Sequence, residues 1–171
     1  MSLTVVGTVA FDAIETPFGK TDKIIGGAGT YIALAASFFE KKTNLISVVG
    51  DDFPEDYLKM LNRHSINTDG IQIKKGEKTF FWSGKYYDNM NKRDTLVTEL
   101  NSLAGFDPLV PESYQNAKYL MLGNLTPSIQ SMVIKRMEKR PKLIMMDTMN
   151  FWLDRTLDEL KQTISAVDVL C

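Results

Sequence analysis

Cysteine and histidine are almost missing from this chain: its 171 residues hold one of each, Cys171 and His64. A single cysteine excludes an internal disulfide framework and suits a reducing cytoplasm. Cys171 is read as a buried strand residue rather than a nucleophile, because a catalytic thiol needs an activating partner. One histidine makes a His-based zinc site hard to build. An excess of charge is also lacking. The net charge of −1 gives no argument for nucleic acid or a membrane surface as partner. No apolar run approaches membrane-span length. The start shows no basic segment followed by an apolar one, so no signal peptide is expected. What is present is ordinary: 44% hydrophobic and 24% charged residues describe one soluble domain with a real core.

The chain is organised around Ile25-Gly26-Gly27-Ala28-Gly29-Thr30-Tyr31 and the apolar run after it. Glycine lets backbone approach a ligand closely and adopt positive φ. A helix start exposes unpaired N–H groups and partial positive charge, so this place is suited to hold hydroxyls or an anion. Ile32, Leu34, Ala35, Ala36, Phe38 and Phe39 predict a helix apolar nearly all round, ending near Glu40-Lys41-Lys42. The motif is not a dinucleotide fingerprint, since Ile32 stands where the third glycine belongs, and no Gly-Lys-Ser/Thr follows. A tight turn that packs a helix on a sheet explains the spacing equally well.

Around this stretch, Leu3–Val9 and Asn44–Val49 read as buried strands. Phe11–Thr16 alternates before the Pro17-Phe18-Gly19 turn, and Asp12 puts a charge in an apolar strand. Asp12 is either a solvated edge residue or a carboxylate for substrate hydroxyls. Asp52 is expected to cap a helix from Pro54 to Arg63, with a metal pair of Asp51 and Asp52 the lesser alternative. His64 at the end of that helix is read as structural. Residues 70–100 read as antiparallel hairpins dense in aromatics, with Phe80, Trp82 and Tyr86 on one face and Phe81 and Tyr87 on the other. The remainder reads as βαβαβ: strands at Lys118–Leu122, Leu143–Met146 and Val167–Leu170, helices from Thr126 to about Arg140 and from Phe151 to Ile164. Ligands of such sheets bind beyond the carboxyl ends of the strands, which is where Asn124 and Asp147–Asn150 fall. On its own, Asp147 reads first as a cap of the next helix.

Gly7 and Asp12 of the opening strands, Gly26-Gly27-Ala28-Gly29, Ala35-Ala36, and Val48-Val49-Gly50-Asp51-Asp52-Phe53 together resemble the ribokinase-like (PfkB) carbohydrate kinases. The resemblance spans residues 1–171. It implies an α/β fold with a mostly parallel central sheet flanked by helices, and a small β-sheet lid approximately from 11–17 and 70–100. It implies ATP-dependent phosphorylation of a sugar or nucleoside hydroxyl with Mg2+, in a cytoplasmic enzyme that pairs through its lid as a homodimer. Asp12, Gly26 and Gly27 are expected to bind the acceptor, with Trp82 closing over it and Asn124 at a strand end beside it. Tyr31 stands where the family often has Asn and is expected to influence substrate choice. Asp147-Thr148-Met149-Asn150 is similar to the family's Asp-x-Asn-x-Arg segment, with one extra residue and no Arg. Asp147 and Asn150 are accordingly expected near phosphate or metal. The family's catalytic base lies in a Gly-Ala-Gly-Asp motif, and no Gly-x-Gly-Asp occurs here. The resemblance therefore implies the acceptor site and lid without a catalytic residue, and an inactive chain when alone. The alternatives are a non-catalytic sugar or nucleoside sensor and, more weakly, a dinucleotide-binding domain.

Overall fold

The computed structural model describes residues 2–39 and 42–171. In chain order the elements are β1 (Leu3–Val6), β2 (Ala10–Thr16), β3 (Gly19–Lys20), β4 (Ile24–Gly26), α1 (Ala28–Ser37), β5 (Thr43–Gly50) and α2 (Glu55–Arg63). They continue with β6 (Ile66–Lys74), β7 (Phe81–Tyr86), β8 (Arg93–Glu99), β9 (Tyr119–Leu122), α3 (Pro127–Arg136), β10 (Leu143–Met146), α4 (Asn150–Arg155), α5 (Leu157–Ile164) and β11 (Val169–Leu170). Six strands form a parallel sheet in the order β11-β10-β9-β1-β5-β6. A second sheet runs β3-β2-β7-β8, with β4 also on β2. In it β2 and β7 are parallel and every other pair is antiparallel.

The large sheet is covered on both faces, as parallel sheets must be. Alternation sends Val6, Ile46, Leu120 and Ile144 to one core, against Val133 of α3 and Leu160 of α5. Val5, Leu45 and Val49 go to the other, against Ala33 of α1 and Leu61 of α2. Phe11 of the small sheet joins this second core, its ring 5.3 Å from that of Phe53. Among the described residues no helix is long and apolar enough to cross a membrane.

Several expectations change. Residues 70–74, read with the lid, belong to β6, which pairs in parallel with β5 in the large sheet. The α2 crossover makes this a βαβ unit, and Tyr114 stabilises its irregular start by accepting from Gly70 N–H (3.2 Å) and donating to the Asn67 carbonyl (3.0 Å). The lid strands after it are β7 and β8 alone. β1 stops at Val6, because Gly7 packs backbone to backbone on Gly29: a Cβ on Gly7 would lie 2.6 Å from Gly29 N. α1 is not buried all round: Tyr31 on it is 54% exposed, and Phe38 and Phe39 just past its end are 77% and 92% exposed. Glu40 and Lys41, where its end was expected, lie outside the described residues. Pro54, not Asp52, is the N-cap of α2. α3 ends at Arg136, and the helix expected over 151–164 breaks at Thr156. Cys171 is exposed rather than buried.

Candidate functional site

The antiparallel pairing of β2 with β4 sets Asp12 against the glycine turn, with Asp12 opposite Ile24 and Ala10 opposite Gly26. The carboxylate occupies the space a side chain at position 26 would need: a Cβ there would sit 2.1 Å from Asp12 Oδ2. Gly27 is fixed twice over. Its φ is +92°, and a Cβ on it would lie 2.2 Å from the Thr8 carbonyl oxygen. Its backbone N–H stands close enough to the Asp12 carboxylate to favour the ionised form. Burial pushes the Asp12 carboxyl above the usual range, and the nearby Gly27 amide offsets only part of that. Asp12, Gly26 and Gly27 therefore converge on one half-buried polar spot.

The helix start differs from expectation. Ala28 N–H donates to Thr8 Oγ1 at 2.9 Å and Gly29 N–H to the Thr8 carbonyl at 2.9 Å. The amides of the first turn of α1 are thus satisfied by Thr8, and the Gly27 amide is the one turned to Asp12. Thr8 was not singled out by the sequence; a lone threonine two residues past a strand carries no signal.

The lid completes one wall. β7 places Trp82 beside Asp12 in register, with Thr98 of β8 on its other side. Alternation puts Asp12 and Trp82 on the face away from Phe11 and Phe81, which pack on the core. The indole lies along the lid, where a Cβ on Gly84 would be 2.1 Å from its Cη2. Its N–H donates to Thr95 Oγ1 (3.3 Å), and the Arg93 guanidinium stands 5.6 Å from the ring. Tyr31 is half exposed and folds back over the glycine turn, donating its hydroxyl to the Ile25 carbonyl at 3.1 Å.

Asn124 and Asp147 stand at the carboxyl ends of β9 and β10. Asn124 adjoins the glycine turn through Gly123, where a Cβ would lie 3.6 Å from Ala28 Cβ. The Asn124 amide is engaged: Oδ1 accepts from the Trp152 indole at 2.8 Å, and Nδ2 donates to Met149 Sδ at 3.0 Å. Asp147 is half-buried, and Asn150 is exposed at the start of α4. Among the described residues no three His, Cys, Asp or Glu side chains converge as a metal site.

Asp52, expected as a cap, does other work. It accepts from Thr79 N–H (2.7 Å) and Thr79 Oγ1 (2.6 Å) and pairs with Lys23 (3.4 Å), so it ties two lid crossings to the end of β5. An open cleft of about 230 Å³ lies there, lined by Phe11, Lys23, Asp52, Thr79 and Phe81 among others. It is on the lid face opposite Asp12 and includes none of the expected site residues.

A covered parallel sheet carrying a small second sheet is the ribokinase-like fold. The chain belongs to the pfkB family of carbohydrate kinases, whose family model matches residues 2–171. A curated relative, the cytidine kinase of Thermococcus kodakarensis, is 26% identical over 171 residues, covering 99% of this chain and 60% of that protein. Two solved structures share the fold. The Methanocaldococcus jannaschii nucleoside kinase superposes with a TM-score of 0.77 at 18% identity, over 99% of this chain and 59% of that one. The Halothermothrix orenii fructokinase does so with a TM-score of 0.78 at 20% identity, over 99% and 67%. The chain is thus related to nucleoside and sugar kinases, and it spans about three-fifths of its curated relative.

Proposed function

We propose that this chain is the acceptor-binding part and lid of a kinase that transfers the terminal phosphate of ATP to a hydroxyl of a nucleoside or sugar. The observation that carries the proposal is the Asp12 carboxylate seated in the space left by Gly26, beside the Gly27 amide. An ionised carboxylate is an acceptor only, with lone pairs for two adjacent hydroxyls. Such charge-assisted bonds are the strong ones. Trp82 offers an apolar plate beside it, and closure of the lid over a bound acceptor would exclude the water that competes with phosphoryl transfer. The cytidine kinase relative favours a nucleoside acceptor.

The residues that activate the hydroxyl and hold the donor phosphates lie outside these 171, so the chain alone is inactive. Asp147 and Asn150 do not by themselves make a Mg2+ site. The lid offers its outer strand for pairing: β8 is exposed along its whole length, with Leu96 54% and Val97 39% exposed. A free edge of this kind is a template for a second chain, and we propose a homodimer through it. A single cysteine suits work in the cytoplasm.

The test is a thermal-shift screen of nucleosides and sugars, cytidine, ribose and fructose among them, on the chain and on its Asp12→Asn variant. Stabilisation by at least one ligand, lost in the variant, is expected. No stabilisation by any ligand, or stabilisation that survives Asp12→Asn, refutes the proposal. Phosphorylation of the ligand by this chain with ATP would contradict the inactivity assigned to it.

A further inference from the structure

Gln130, on the first turns of α3, is completely buried, yet its side-chain oxygen has no partner. An unmatched acceptor in a core is disfavoured, so the amide nitrogen must be the reason this residue is kept in place. That nitrogen reaches three carbonyls: Gly123 at 2.9 Å, Asp147 at 3.0 Å and Leu122 at 3.4 Å. Flipping the amide would set its oxygen against all three, so the carbonyls fix its orientation.

The place matters. The β9–β10 ladder ends at the pair Leu122–Met146, followed by a last bond from Asp147 N–H to the Leu122 carbonyl at 2.8 Å. Beyond it the two chains diverge, one into Asn124 and the other into Asp147–Asn150. Their next carbonyls, Gly123 and Asp147, point at Gln130 instead of at a neighbouring strand. Thr148 Oγ1, one residue further, is also buried without a partner. At Thr148 the side chain gives this loop no hold; the side-chain tie to the Asn124 loop comes one residue later, where Met149 Sδ accepts from Asn124 at 3.0 Å.

We infer that Gln130 is a positioning residue: its amide continues the ladder by one step and sets the distance between the loop of Asn124 and the loop of Asp147–Asn150. That these loops face acceptor and phosphates rests on the kinase reading; the mechanical role does not.

The test uses the full chain with Gln130→Leu and Gln130→Glu, read by residue-resolved hydrogen exchange and by affinity for the best ligand of the screen. In Gln130→Leu, the Gly123 and Asp147 amides are expected to exchange faster by about tenfold or more, while β5 amides keep their protection. Ligand affinity is expected to fall by roughly tenfold. In Gln130→Glu a buried carboxyl is protonated at about pH 5 and can donate one hydrogen bond, which it cannot once ionised at a pH above its raised folded value. Protection at Gly123 and Asp147 is therefore expected to return at the lower pH only. A variant that merely loosens the core would raise exchange in β5 as well and show no such pH reversal. Unchanged protection at Gly123 and Asp147, or equal protection of Gln130→Glu at both pH values, overturns the inference. If Gln130→Leu does not fold, the two pH values of Gln130→Glu decide. If no ligand binds the wild type, the kinase reading fails, while exchange still decides the role of Gln130.

Discussion

Replacing Gly26 by Ala tests the pocket with a single methyl group. The φ of Gly26 is not in the left-handed region, so alanine is conformationally allowed. The closest clashes fall on Asp12, at 2.1 Å from Oδ2 and 2.2 Å from Cγ. The carboxylate must swing aside, at about 0.5–1.5 kcal/mol for an off-rotamer side chain. It also moves away from the Gly27 amide, a favourable contact worth about 0.5–1.5 kcal/mol. Fewer unfolded states return about 0.4–1 kcal/mol. The net loss is about 1 kcal/mol, a fall in Tm of roughly 2–4 °C for a domain of this size. Binding suffers more. Two hydroxyl bonds to a displaced carboxylate cost about 3 kcal/mol, or roughly 100-fold in Kd. Asp12→Ala removes the obstacle, so the double variant should be more stable than Gly26→Ala yet no better at binding. Calorimetry of the four proteins with the stabilising ligand reads this cycle. Affinity of Gly26→Ala within about threefold of wild type would refute the reasoning.

Asp12→Asn should raise Tm at neutral pH while abolishing binding. Burial lifts the folded carboxyl above its unfolded value, so its ionisation opposes folding at every pH above the folded value. The advantage of the variant should shrink as pH falls below that value; a lower Tm for the variant at pH 7 would contradict this. Asp52 has the opposite sign: partial burial pushes its carboxyl up, but the Thr79 bonds and Lys23 outweigh this and leave it below the usual range. Its stabilisation is present above the unfolded carboxylate pKa and lost as pH falls through the folded one, below about pH 4. Asp52→Asn should therefore flatten the acid limb of a Tm-versus-pH curve, and an unchanged limb would count against it. Tyr114→Phe leaves the Gly70 N–H and Asn67 carbonyl unpaired in the core and should cost about 1–3 kcal/mol in urea unfolding. Burial also pushes the Tyr114 hydroxyl up to about 12, so no stability change from its titration is expected below pH 10. Leu96→Arg with Val97→Glu should leave a monomer in light scattering where the wild type pairs; a variant that still pairs removes the lid edge as the interface.

The sequence exposed the parts whose physics is local. β5 is a run of buried apolar residues, α3 opens on Thr126-Pro127, and Gly27 and Gly29 mark a turn where a Cβ would meet backbone. β6 was hidden because Asn67, Thr68 and Asp69 interrupt its pattern, and its irregular register with β5 is bridged by a tyrosine more than forty positions away. Asp52 has the composition of a cap, but tertiary donors from Thr79 outcompete the helix for it. Thr8 and Gln130 act on backbone groups brought near by folding, and no spacing rule announces them. Asp12, Gly26, Gly27 and Trp82 were named from sequence, and the structure brings them to one place. Asn124 was named as a strand-end residue beside the acceptor, and its amide is held by Trp152 and Met149.

Fluorine NMR of the chain labelled with 5-fluorotryptophan is the most direct probe, since Trp82 and Trp152 are its two tryptophans. Titration with nucleosides and sugars should move the Trp82 resonance to saturation with at least one of them, and Asp12→Asn should abolish the shift. A Trp82 signal that no ligand moves, or that moves equally in Asp12→Asn, would contradict a hydroxyl-binding pocket at Asp12, Gly26 and Gly27.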